Sequence, residues 1–167
     1  MFEIGTNVTY GAHGVYTVED IRLEDFLGEK KKYYVLCDAN RKNRDRVFVP
    51  CDNEYLVSQM KKILSKDEVL ALIASVPAAP MEWIEDNRAR SEHFKEILSR
   101  ADRRELLHMA KTIYLRKALL ASHGKRIFIS DENILARAEK ALFDEFAFVL
   151  GISLEEVLPF VIEHSKS

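Results

Sequence analysis

Two cysteines in 167 residues, Cys37 and Cys51, are too few for a disulfide framework, and neither has a partner at Cys-x-x-Cys spacing. Both read as reduced, structural thiols. No run approaches the roughly 18 apolar residues of a membrane span, and the amino terminus has no basic segment leading into an apolar one, so a cytoplasmic location away from membranes is expected. Charge of one sign is not in excess either. The 25 Lys/Arg stand against 27 Asp/Glu, a formal net charge of -2, which excludes the strongly basic balance of a generic nucleic-acid coat. Catalytic signatures are missing too: there is no P-loop, no Gly-x-Gly-x-x-Gly and no His-Glu-x-x-His. The histidines, His13, His93, His108, His123 and His164, are dispersed without metal-type spacing. Carboxylate pairs such as Asp67/Glu68, Asp131/Glu132 and Glu155/Glu156 fall at helix starts, where capping and the macrodipole account for them. The expectation is a protein that is not an enzyme and holds no metal and no cofactor.

What is present suffices to fold. With 47% hydrophobic and 31% charged residues the chain can offset its ordering entropy, and its length suits one ordinary domain or two small ones. Residues 4–56 read as short strands: two β-rich runs in 8–18 joined by a Gly-rich turn, a third at 32–37, and a fourth, Arg46, Val47, Phe48, Val49 and Pro50. Leu27-Gly28 is a hairpin signal, residues 40–45 form a polar connection, and Pro50 should end its strand. From about Val57 the period becomes helical. Ser65 and Glu68 form a capping box, Pro77 and Pro80 bound a stiff extended joint, and a helix follows over 83–98. Asp102 and Glu105 open the next, with Leu106, Leu107, Ala110, Ile113, Tyr114 and Ala121 on its apolar stripe. Ser130 and Asp131 open another, ended by Gly151, and Ser153 and Glu156 cap a last one that Pro159 need not break. The fold class is α+β: a small Tudor- or SH3-like antiparallel β module at 1–57, then a compact bundle of about five helices at 58–167. No internal repeat or low-complexity tract interrupts it.

The charge is unevenly distributed. Residues 88–126 hold eleven basic and four acidic side chains, a local excess of seven, while residues 144–167 hold one and five. Arg104, His108 and Lys111 fall on one helical stripe beside an apolar face, which suits phosphate contacts or, more plainly, a solvated helix face. Trp83 follows the proline-bounded joint. It reads either as a buried anchor between modules or as a projecting aromatic that stacks on nucleic acid.

The run Phe2-Glu-Ile-Gly-Thr-Asn-Val-Thr-Tyr10, then His13-Gly14, Val18, Gly28-Glu29, Tyr33-Tyr-Val-Leu36 and Val49-Pro50, resembles the RNA-polymerase-interacting domain of the CarD/CdnL family of bacterial transcription regulators. That domain also occurs in the transcription-repair coupling factor. The resemblance continues through the helical half, in a Trp after a proline-containing joint, basic residues one to two turns later, and the Leu135-Ala-Arg-Ala138 run. It implies a monomeric, non-enzymatic protein, nucleoid-associated through RNA polymerase, whose β module docks on the polymerase β subunit. Its helical module would touch promoter DNA at the upstream edge of the melting bubble, largely independently of sequence, through phosphates and a minor-groove wedge matching Trp83.

On the DNA side the resemblance carries over to Trp83 and Arg88. The charge count adds Arg90, Arg104, Lys111, Arg116, Lys117, Lys125 and Arg126. On the polymerase side it carries over to the strand of Arg46, Val47, Phe48, Val49 and Pro50, with Phe48 standing where family members have an arginine, so an apolar contact or Arg46 takes that role. Gly11-Ala12 replaces a usual Pro before His-Gly, and Glu132 and Asn133 stand where some members are basic, with Lys125 and Arg126 compensating. The alternative is an adaptor that uses the same β module on a protein partner without productive DNA contact.

Overall fold

The computed structural model describes residues 1–42 and 44–166; Asn43, within the polar connection expected at 40–45, and Ser167 lie outside the described residues. The chain divides into two compact units, Met1–Leu64 and Ser65–Ser167. The first is an antiparallel sheet of order β4-β3-β2-β1-β5, formed by β1 (Asn7–Tyr10), β2 (Val15–Phe26), β3 (Glu29–Asp38), β4 (Arg46–Pro50) and β5 (Met60–Lys62). A short helix, α1 (Glu54–Ser58), precedes the last strand. Side-chain alternation gives the two faces different sets. Val8, Val18, Tyr34, Leu36, Val49 and Met60 make the core.

The hairpin expected at Leu27-Gly28 is a two-residue turn with both residues at positive φ, 56° and 83°, as a type I′ turn requires. It closes a long β2–β3 ladder that reaches Tyr16↔Asp38. A bulge between Val18 and Asp20 inserts Glu19, whose carboxylate Arg46 of β4 grips with two nitrogens. β4 ends at Pro50, as expected. β5 is the departure from the sequence reading: it lies beyond the expected change of period and pairs with β1 from Val8↔Lys62 to Tyr10↔Met60. Three residues are too few for a period to register. The units therefore divide after Leu64 and not at residue 57.

Five helices build the second unit: α2 (Lys66–Ser75), α3 (Asn87–Arg100), α4 (Arg103–Ser122), α5 (Ile129–Leu150) and α6 (Leu154–His164). Ser65 and Glu68 cap α2 reciprocally, at 3.1 and 2.7 Å, and the chain turns extended at Val76 ahead of Pro77. Asp102 caps α4 by accepting from the Glu105 N–H at 2.9 Å, and α6 contains Pro159 without ending there. Helix α3 starts later than expected, because Asp86 accepts from the Ala89 N–H at 2.8 Å and sets the first turn at Asn87. Trp83 is left in the extended segment ahead of it.

Val69, Ile73, Phe94, Ile97, Leu106, Ile113, Ile134, Leu142, Phe146 and Val157 are buried together in this unit. No residue of α4 beyond Ile113 is buried, so Tyr114 and Ala121, expected on the inward stripe, are exposed, while Met109 and Thr112 are inside. Glu139 of α5 lines an apolar cleft of about 230 Å³ with Leu107, Tyr114, Phe143, Leu158 and Val161. Burial pushes its carboxyl above the usual range, and Lys117 offsets this only in part. The folded state then keeps that proton to higher pH than the unfolded chain does. The associated stability is complete below the ordinary glutamate value, about 4.3, and is lost as pH rises through the folded value. Glu139→Gln should raise the urea midpoint at pH 7 and leave it unchanged below about pH 4. Equal midpoints at pH 7 would show that the carboxylate carries no burial penalty.

Candidate functional site

On α3, Arg90 lies in line with Phe94 and Ile97 at i, i+4 and i+7, so the face that buries those two buries Arg90 as well. Its side chain is 2% exposed. Nε and Nη2 donate to Asp131 Oδ1 and Oδ2 at 3.0 and 2.8 Å, and Nη2 also to Asn87 Oδ1 at 2.8 Å. Nη1 donates to the carbonyls of Ile84 and Glu85 at 2.9 and 3.3 Å. This corrects the expectation that Arg90 faces DNA: its charge is neutralised inside the helical unit. The signal was in the stripe, which a count of basic residues passes over.

Arg90 also fixes Trp83. Its guanidinium carbon lies 4.6 Å from the indole centroid, that of Arg116 lies 5.1 Å away, and Phe94 meets the ring edge-on at 6.0 Å. Trp83 is half-buried. It is thus neither a freely projecting ring nor a fully buried one, and these ring contacts all lie within the second unit. Arg116 Nε is buried without a hydrogen-bond partner among the described residues, and the indole face offers its electron-rich surface instead. Arg116 Nη2 stands 3.9 Å from Glu85.

The stripe of Arg104, His108 and Lys111 has a structural task. Arg104 Nη2 donates to the Ser75 carbonyl at 3.1 Å, Lys111 Nζ to the Pro77 carbonyl at 2.9 Å, and His108 Nε2 lies 2.9 Å from the Ala79 carbonyl. One face of α4 thus meets carbonyls at the end of α2 and in the proline joint that follows it. Thr112 completes the fastening by accepting from the Met81 N–H at 2.9 Å. Lys111 Nζ also donates to the Lys166 carbonyl at 3.0 Å. The proline joint is therefore strapped along α4 inside the second unit.

Other expected cations remain at the surface. Arg88 has a side chain 91% exposed, 3.3 Å from Glu92, and Lys117 pairs with Glu132 at 3.2 Å. Lys125 and Arg126 are exposed in the connection before α5.

In the first unit, β4 is an edge strand. Val49 is fully buried and Val47 is partly buried against the core, so in the strand expected to dock these two side chains point inward. Phe48 faces the other way. It meets Phe26 at 5.4 Å and Tyr33 at 6.3 Å, edge-on, with the Arg22 guanidinium carbon 5.9 Å from its centroid. Arg46 is engaged by Glu19 and by the Arg44 carbonyl, the latter at 2.7 Å. An apolar aromatic surface, not a free arginine, is what this face offers.

The first unit is thus a small antiparallel sheet with β4 and β5 at its edges and a cluster of Phe26, Tyr33 and Phe48 on one face. Residues 2–63 match the model of the CarD-like/TRCF RID domain, the domain that the sequence resemblance pointed to. A 36-residue stretch is 47% identical to "Putative transcription factor YdeB" of Bacillus subtilis (strain 168), covering 22% of this chain and 24% of that protein. The match thus spans about a quarter of the length of that relative.

Sequence reasoning missed Asp131 as the partner of Arg90, reading it as a helix start. Removing it leaves a buried guanidinium uncompensated, which costs about 3 to 5 kcal/mol. Asp131→Ala should lose about that much in chemical unfolding, and a loss below about 1 kcal/mol would mean that the carbonyls of Ile84 and Glu85 suffice for Arg90.

Proposed function

We propose that this protein is a bacterial transcription regulator that docks its first unit on the β subunit of RNA polymerase and steadies the open promoter complex with Trp83. The observation that carries the reading is the match of residues 2–63 to the CarD-like/TRCF RID domain. A relative of part of the chain bears a transcription-factor name, which supports the same class.

In this reading the open edge of β4 and the face of Phe48, Phe26 and Tyr33 meet the polymerase. Main-chain groups of an edge strand supply affinity and the aromatic face supplies specificity. On the DNA side, Trp83 enters a partly unstacked step from the minor groove and opposes reannealing of the duplex. Arg88, Arg116, Lys117, Lys125 and Arg126 neutralise nearby phosphates without reading bases. The mounting of the indole against two guanidinia supports this role, because a pre-positioned ring loses little freedom on insertion.

The adaptor reading keeps one observation in its favour. Arg90 is buried, and Arg104 and Lys111 hold backbone carbonyls, so the DNA-facing charge is smaller than the sequence suggests. Open-complex lifetime separates the two readings. The wild type should lengthen it and Trp83→Ala should abolish the gain; a lifetime the wild type leaves unchanged favours the adaptor. Phe48→Asp should weaken binding to the isolated β-subunit lobe at least about tenfold, or about 1.4 kcal/mol, and undiminished affinity would exclude this face. The free protein should bind duplex DNA weakly, near about 10⁻⁴ to 10⁻⁶ M, and lose affinity steeply with added salt.

A further inference from the structure

Helix α5 does not use the cap that its sequence offers. Ser130 and Asp131 read as its start, but Asp131 is committed to Arg90, and the helix begins at Ile129 with Phe128 in the cap position. A phenyl ring cannot accept a hydrogen bond from the first turn, where Ser, Thr, Asp or Asn is the favoured residue. Nor does Phe128 gain by burial, being 58% exposed, with Ile129 beside it 75% exposed. An apolar residue that supplies no side-chain cap and stays mostly exposed breaks two local rules at once, and such breaks gather at functional positions.

Its placement shows what it could serve. The Phe128 ring centroid lies 5.8 Å from the Arg90 guanidinium carbon, the same group that carries Trp83 at 4.6 Å. Two aromatic rings therefore share one buried, fully hydrogen-bonded mount. Lys125 and Arg126 are exposed two to three residues ahead of Phe128, and Arg116 lies against Trp83. Three carboxylates nearby are engaged: Glu85 lies 3.9 Å from Arg116, Glu132 pairs with Lys117 and Asp131 with Arg90, while Glu82 beside Trp83 is exposed. An exposed ring and a half-buried one, both flanked by cations, suit stacked or kinked nucleic acid better than a dry protein contact.

We propose that Phe128 is a second wedge, entering the same partly unstacked stretch of DNA as Trp83, with Lys125 and Arg126 on adjacent phosphates. This rests on the reading of Trp83 as a DNA wedge and extends it to a two-ring device. The Phe128 ring carries no base-reading donor or acceptor, so its selectivity comes from how readily a step unstacks, which favours pyrimidine–purine steps such as TA.

The test uses the full chain and a labelled forked duplex with a short unpaired A·T-rich segment, at 50 mM salt. Phe128→Ser supplies the missing cap acceptor, so the melting temperature should rise while affinity for the fork falls about fivefold or more, the loss of one stacking contact. Phe128→Trp should restore the affinity. If Phe128→Ser leaves fork affinity unchanged while Trp83→Ala lowers it, the second wedge is refuted and the Trp83 reading stands. If neither substitution changes affinity, the DNA reading itself fails and the inference with it. A Phe128→Ser variant that loses stability and affinity together would mark Phe128 as structural and overturn the proposal.

Discussion

The buried Arg90–Asp131 pair is the constraint on which the helical unit's candidate site depends. Two charges taken out of water are costly, and the pair persists because the guanidinium finds five oxygen acceptors, two of them from one carboxylate. Its value is positional. One planar group ties α3 to α5, holds the carbonyls of Ile84 and Glu85, and presents its face to Trp83. An apolar pair of equal volume could fill the space as stably, but it would leave those two carbonyls without a donor and the indole without a mount.

The same pair decides the start of α5. With Asp131 facing inward, the helix cannot take its first cap from the Ser130-Asp131 step, so it begins at Ile129. The proline segment is governed by a similar exchange. The carbonyls of Ser75, Pro77 and Ala79 would otherwise need water, and Arg104, His108 and Lys111 on one face of α4 reach them instead. Polar groups that look like a binding surface in one dimension thus complete the internal hydrogen bonding in three.

The parts of this protein that were legible in its sequence are those set by local rules. The Leu27-Gly28 turn, the end of β4 at Pro50, the capping box of Ser65 and Glu68 and the start of α4 at Asp102 each depend on residues within a few positions of one another. β5 was not legible, because its three residues become a strand only by pairing with β1 some fifty residues earlier. Arg90 was half legible: its alignment with Phe94 and Ile97 marks it as inward, but its partner lies 41 residues away and looks like a cap. The aromatic face around Phe48 depends on cross-strand register, which the bulge at Glu19 shifts by one residue.

Charge is where sequence and structure diverge with most consequence for function. The excess of seven in residues 88–126 counts Arg90, Arg104 and Lys111 as available, yet each is tied to oxygens of its own chain. Each phosphate contact removed from the count lowers both affinity and its salt dependence, so a helical unit with so few unengaged cations holds DNA poorly by itself. A weak, base-blind DNA contact becomes effective only when another attachment raises its local concentration. In the proposed reading that attachment is the sheet with its open β4 edge. The near-neutral chain is then suited to acting only where polymerase has already brought DNA within reach, and a more basic helical unit would lose that restriction by binding duplex elsewhere.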